Sequence, residues 1–200
     1  MPSAAIAKVP IASSVVVLVC AVLAAAPETG LFAYDRSAIL AGQIWRLWTG
    51  HWVHFSNQQF LMDVSTLFVV GLLAEREFGA RLTALVLWLG MPVISLGLLL
   101  LVPDLHEYRG ASALAVLLAW FAGSALWPRL SKLRLGLAML GLVWTVKTVL
   151  EAAGWSSDIA SLPADVRVVW QAHGLGAVLG WACARFQLNR QASRPPPPRE

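Results

Sequence analysis

A serine hydroxyl becomes a nucleophile only beside a base that can take its proton. Ser112 lies in 108-YRGASALAVLLAWFAG-123, two residues past Gly110, where an apolar run begins. The base to consider is His173, in 171-QAHGLGAVLG-180. A helix starting at Ser112 would offer spare backbone N–H groups to an oxyanion. Gly110 would let a backbone or a substrate come close. Two plainer readings stand beside this one. From position alone Ser112 reads as a helix cap or as a small residue in a tight helix contact. His173 is equally suited to bonding a neighbouring helix.

Further polar residues interrupt apolar runs: Asp63, Ser124, and the pair Lys147 and Glu151. Lys147 and Glu151 are four apart, which on a helix makes an intrahelical ion pair. Asp63 is either neutral or bonded to the polar loop before it. Cys20 and Cys183 both sit in apolar runs and read as small hydrophobes, not as a disulfide or metal ligands. No zinc-like spacing occurs.

These residues need elements to position them, and composition says which. The 200 residues are 58% hydrophobic and only 13% charged, against about 25% charged for a soluble domain. Several apolar runs approach the ~20 residues that cross a bilayer. The pattern predicts one all-α polytopic membrane domain with six spans, at about 11–26, 58–74, 82–102, 110–127, 133–150 and 166–186. Residues 1–10 form a cytoplasmic segment. Residues 188–200, with four consecutive prolines, form an extended, disordered cytoplasmic tail. The first span is read as retained rather than as a cleaved signal peptide. Pro27, Pro103, Pro128 and Pro163 fall near span ends, as helix breakers should. Pro92 falls inside the third span, where a neighbour must satisfy the carbonyl it frees.

The net charge is +4, but the basic residues form no stripe that would bind nucleic acid. They sort by loop instead. With the N-terminus inside, Lys8, Arg76, Arg81, Arg129, Lys132, Arg134, Arg185, Arg190, Arg194 and Arg199 are cytoplasmic. Only Arg36, Arg46, Arg109 and Arg167 lie outside, with the acids Glu28, Asp35, Asp104, Glu107, Glu151, Asp158 and Asp165. That asymmetry predicts both termini in the cytoplasm. Spans four and six then run in parallel, and Ser112 and His173 fall in the same outer layer. His173 lies about 9 Å below Arg167 along the helix axis. Asp63 belongs near that layer, so an outward-facing pocket fits better than a midplane transport path.

Gly176 and Gly180, four apart, let two helix backbones approach closely. Ala115 and Ala119 continue from Ser112 as the expected matching face. The first outer loop, 43-QIWRLWTGHWVHFSNQQ-59, is too aromatic to be free in water. Short amphipathic helices at the interface would place Trp45, Leu47, Trp48, Trp52 and Phe55 at headgroup level.

On these residues the chain resembles the rhomboid intramembrane serine proteases, and within them most closely the rhombosortase branch, over about residues 11–187. Ser112 in Gly110-Ala111-Ser112-Ala113 matches the family's Gly-x-Ser-Gly, with Ala113 replacing the second glycine. His173 in Ala172-His173-Gly174-Leu175-Gly176 matches its Ala-His-x-x-Gly region. Trp45-Arg46 matches the Trp-Arg pair of the first loop, and 49-TGHWVHFSNQQFLMD-63, with His51 and His54, is similar to the rhombosortase segment entering span two. The family's oxyanion histidine and asparagine fall on Gln59 and Asp63. An ionised Asp63 would repel an oxyanion, whereas a protonated one could donate to it.

The resemblance implies a six-span rhomboid-like bundle with a Ser112–His173 dyad that hydrolyses peptide bonds without metal or cofactor. The Ser112 N–H, with Gln59 and His54, would hold the oxyanion, supported by Gly110. It also implies substrates with a single membrane anchor: exported proteins bearing a C-terminal Gly-Gly motif, a hydrophobic helix and a basic tail. The site would face the periplasm from a bacterial inner membrane. Substrate access beside span five is the family's expected route, with Lys147 and Glu151 as braces there. The competing reading is a catalytically inactive rhomboid-like protein that binds membrane helices. A small transporter or channel would need a midplane polar path, and the sequence offers little beyond Ser124.

Overall fold

A computed structural model of the chain describes residues 10–26, 29–129, 131–155, 166 and 168–193. The expectations for Lys8, Pro27, Glu28, Asp158, Pro163, Asp165, Arg167, Arg194, Arg199 and the proline tail lie outside these residues. Among the described residues, six long helices form a bundle: α1 (Ile11–Ala24), α4 (Asn57–Phe78), α5 (Ala80–Leu101), α6 (Ser112–Leu126), α7 (Arg134–Ala152) and α8 (Trp170–Ala192). Each falls on one of the six expected runs. The last continues to Ala192, six residues past the end expected for it, and so takes in the first residues assigned to the tail. Between α1 and α4 lie two short helices, α2 (Arg36–Leu40) and α3 (Arg46–Thr49).

Among the described residues, α5 and α7 are long and apolar enough to cross a membrane, with mean hydropathies of 2.4 and 1.5. The helices α1 and α6 are apolar but shorter. The molecule is an all-α bundle and a membrane-associated protein.

The helix α6 is the centre of the bundle. Its Leu114, Leu117, Leu118 and Phe121 are fully buried. It lies directly against α8, and two glycines set the separation. A Cβ on Gly176 would come within 2.5 Å of the Ala113 carbonyl oxygen, and one on Gly180 within 2.2 Å of the Leu117 carbonyl oxygen. The α6 backbone that meets them therefore belongs to Ala113, Leu117 and Phe121. The expected stripe of Ala115 and Ala119 lies on a different part of the helix, because the contact follows the Ala113 side of the turn. Ala113 itself fits here: its methyl group is fully buried.

The helix α4 also packs on α6 and holds α1. A Cβ on Gly71 would collide with Ser13, and Glu75 accepts from the Ser13 N–H at 2.9 Å and its hydroxyl at 3.1 Å. The carboxylate thus satisfies a donor that the first turn of α1 leaves free.

The first loop docks on α5 at Pro92. Proline lacks the N–H that would bond the Trp88 carbonyl. The indole N–H of Trp48 donates to that carbonyl at 3.0 Å. His51 Nε2 lies 3.1 Å from the Met91 carbonyl and 3.1 Å from Ser95 Oγ, and Ser95 donates to the Leu47 carbonyl at 2.9 Å. Leu47 is buried, and Trp48 and Trp52 pack against the core. The loop is a structural wedge as much as a surface: of the aromatic set, Trp45 is the one left half exposed. Two residue pairs, Tyr34 with Tyr108 in register and Asp35 with Glu107, form an antiparallel ribbon of β1 (Tyr34–Asp35) and β2 (Glu107–Tyr108). The ribbon ties the loop to the chain just before α6.

Candidate active site

The turn before α6 is held in one conformation. Gly110 has φ +135°, a backbone that side chains other than glycine rarely adopt. A Cβ there would also lie 2.7 Å from Gln59 Nε2 and 3.0 Å from Asp63 Oδ2. The close partner that Gly110 admits is therefore α4. The Gly110 N–H donates to the Gly50 carbonyl at 3.1 Å, and the buried Tyr108 hydroxyl donates to the Gly110 carbonyl at 2.9 Å. Burial pushes the Tyr108 phenol up, which keeps it a neutral donor.

Ser112 is the first residue of α6, and Ala111 occupies the cap position without a side-chain cap bond. Ser112 is thus not the helix cap. Its Oγ lies 3.0 Å from His173 Nε2, one turn into α8. The parallel placement inferred from depth brings these two groups within hydrogen-bond reach.

Asp63 occupies the other side of the serine. Its Oδ2 accepts from the Ala111 N–H at 2.9 Å and from the Ser112 N–H at 3.2 Å. Two backbone donors at the start of a helix bind an anion well. Here the anion is a side chain of the same chain. His54 Nε2 approaches the same oxygen at 3.3 Å, and both side chains are nearly buried. Among the described residues, Asp63 meets the polar loop through this approach alone, without a hydrogen bond, and its hydrogen bonds run to α6.

Gln59 is already committed. Its Oε1 accepts from the Phe55 N–H at 2.8 Å, and its Nε2 donates to the Arg109 carbonyl at 3.0 Å. It holds the turn before α6, so the amide expected to face an oxyanion is used elsewhere. A cavity of ≈ 190 Å³ adjoins His54, lined by Ala24, Thr29, Phe55, Ser56, Asn57 and Phe60. Neither Ser112 nor His173 lines it.

Lys147 and Glu151 pair on α7 through the Lys147 ammonium and Glu151 Oε1. Glu151 does more than the sequence suggested. Its second oxygen, Oε2, lies 3.5 Å from His173 Nδ1. The clue was available: Glu151 sits at the outer end of its run, in the layer of His173.

Three expected positions lie apart from the serine. Arg46 organises the first loop, donating to Gln43 Oε1 at 2.7 Å and to the Gly30 and Ala33 carbonyls at 2.9 and 2.7 Å. Trp45 beside it faces outwards. Ser124 lies twelve residues down α6, about 18 Å along the axis. Gly176 and Gly180 act through the packing of α8, and that packing carries His173 to the serine.

No curated protein matches this chain. The family model for the rhomboid domain matches residues 41–190, from the first loop to the end of α8. With three quarters of its length inside that match, and with the serine and histidine at the heads of α6 and α8, the chain belongs to the rhomboid family.

Proposed function

We propose that this protein is an intramembrane serine endopeptidase with Ser112 as nucleophile and His173 as general base. The observation that carries the reading is the 3.0 Å contact between Ser112 Oγ and His173 Nε2, in a chain of a family that supports the general intramembrane-protease class. Nε2 takes the hydroxyl proton as Oγ attacks the scissile carbonyl carbon. The imidazolium then gives that proton to the leaving amine as the C–N bond breaks. Water, activated by the same nitrogen, releases the acyl group from Ser112.

The tetrahedral oxyanion requires the Ser112 N–H, which Asp63 now holds. The carboxylate must therefore swing away towards His54 or take up a proton. Protonated, it changes from acceptor to donor. The position of Asp63 also favours a second reading: a latent or inactive rhomboid-like protein whose oxyanion site is filled by its own side chain.

In the proposed setting the six long helices span a bacterial inner membrane, both termini are cytoplasmic, and Ser112 faces the periplasm. The charge sorting of the loops supports this orientation. The proposed substrates are exported proteins with a single C-terminal anchor of the Gly-Gly type. The test is cleavage of such a reporter in membranes. Ser112→Ala and His173→Ala should each lower cleavage by at least ~10³-fold at unchanged protein level. Cleavage that survives Ser112→Ala would remove the nucleophile from this reading. An unlabelled parent in a serine-reactive probe assay would favour the inactive one.

A further inference from the structure

Of the buried polar atoms near the serine that lack a hydrogen bond, two on different helices face each other. They are His173 Nδ1 and Glu151 Oε2, 3.5 Å apart, on side chains that are 8% and 4% exposed. Buried polar atoms are costly to leave unpaired. A shift of about half an ångström would pair both. The other oxygen of Glu151 is tied to Lys147, one turn back on α7, so the carboxylate is oriented with Oε2 towards α8. Among the described residues, Glu151 is the one charged side chain in ion-pair range of His173.

We propose that Glu151 is a positioning residue that selects the tautomer of His173, making the site a relay of Lys147, Glu151, His173 and Ser112. The inference rests on the serine-protease reading. A neutral imidazole carries one proton, and the nitrogen without it is the acceptor. For Nε2 to take the serine proton, the ring proton must sit on Nδ1. A carboxylate facing Nδ1 holds it there and stabilises the imidazolium formed during attack. The Glu151→Gln amide would reverse this. Lys147 would claim the amide oxygen, the NH₂ group would face Nδ1, and the ring proton would move to Nε2, where it blocks the base.

Two measurements on the full-length protein in detergent micelles test this. The first is nitrogen-15 NMR of histidine-labelled protein, with His173→Gln used to identify the resonance. The parent should carry its proton on Nδ1, and Glu151→Gln on Nε2. The same tautomer in both overturns the proposal. The second is the rate at which a fluorophosphonate labels Ser112, followed against pH. Glu151→Gln should lower the rate on the order of 100-fold and move the half-maximal pH down. Lys147→Met, which keeps the carboxylate and removes its competing cation, should move that pH up. A structural brace predicts no opposed shifts. Parent-like labelling in Glu151→Gln overturns this assignment and leaves the Ser112–His173 reading intact. Failure of the parent to label, matched by His173→Ala, overturns both.

Discussion

The two nitrogens of His173 face two differently built parts of the molecule. Nε2 meets α6, most of whose residues are buried and whose backbone touches α8 at Gly176 and Gly180. Nδ1 meets Glu151 on α7, a helix most of whose other described residues are exposed. The serine side is set by backbone contact, which leaves little room for adjustment. The glutamate side is set by one ion pair and a 3.5 Å approach, on a helix that otherwise presents Leu135, Met139, Leu142 and Val146 outwards. In the proposed membrane setting these side chains meet lipid. The contrast suggests a division of labour. The hydrogen bond of the proposed nucleophile is placed rigidly, whereas the helix expected to border substrate access is held lightly.

The largest expected effect tests the rigid side. Gly180→Ala would put a methyl group 2.2 Å from the Leu117 carbonyl oxygen, where only backbone movement can make room. It should cost about 3 kcal/mol or more and abolish serine labelling. The thermal unfolding midpoint in micelles, read beside probe labelling, checks both. An unchanged midpoint would mean that α6 and α8 are not packed as described.

Acid should loosen the packed part next. Burial pushes His51 down from 6.5 to about 4, so the fold holds its neutral form. Its contribution to stability is complete above pH 6.5 and is lost as pH falls towards and through about 4. The loss should be on the order of 3 kcal/mol. Hydrogen exchange at both ends of that range should show the first loop and α5 opening, with α7 unaffected. Exchange that rises equally in α7 would erase the distinction between the two parts.

A smaller effect concerns the anion on the serine N–H. Asp63→Asn removes the charge and supplies a donor. It should raise the rate of Ser112 labelling about tenfold, or ~1.4 kcal/mol in the barrier. A fall in rate would mean that the carboxylate supports the turn more than it obstructs the oxyanion. The smallest effect belongs to α7. A Cβ on Gly141 meets nothing within 4 Å. Gly141→Ala should therefore gain about 0.5–1 kcal/mol from helix propensity alone. A clear loss of stability would reveal a neighbour for α7.

Much of the frame was legible in the residues. Apolar runs and prolines located all six long helices, five of them to within a few residues and the end of α8 to within six, because helix length and helix breaking are local properties. Pro92 announced a carbonyl in need of a donor, although not that Trp48 would supply it. The pairing of Ser112 with His173 was visible through depth, since parallel helices put equal offsets in one layer. The i,i+4 pair of Lys147 and Glu151 was visible for the same local reason. The second partner of Glu151 was not, because periodicity on one helix says nothing about which side chain of the next helix it meets.

The sequence by itself determined the helical class, the helix positions and the residue types available for nucleophilic chemistry. Tertiary structure decided what the polar groups bond beyond their own helix. Hydrogen bonds need placement to a few tenths of an ångström, and here they join positions far apart in the chain: 61 residues between Ser112 and His173, and 48 between Asp63 and Ala111. Such placement comes from how glycine contacts let helices approach. That is why Asp63, which the resemblance set at the oxyanion position as a donor if protonated and a repulsive charge if not, stands on the very N–H groups an oxyanion would use.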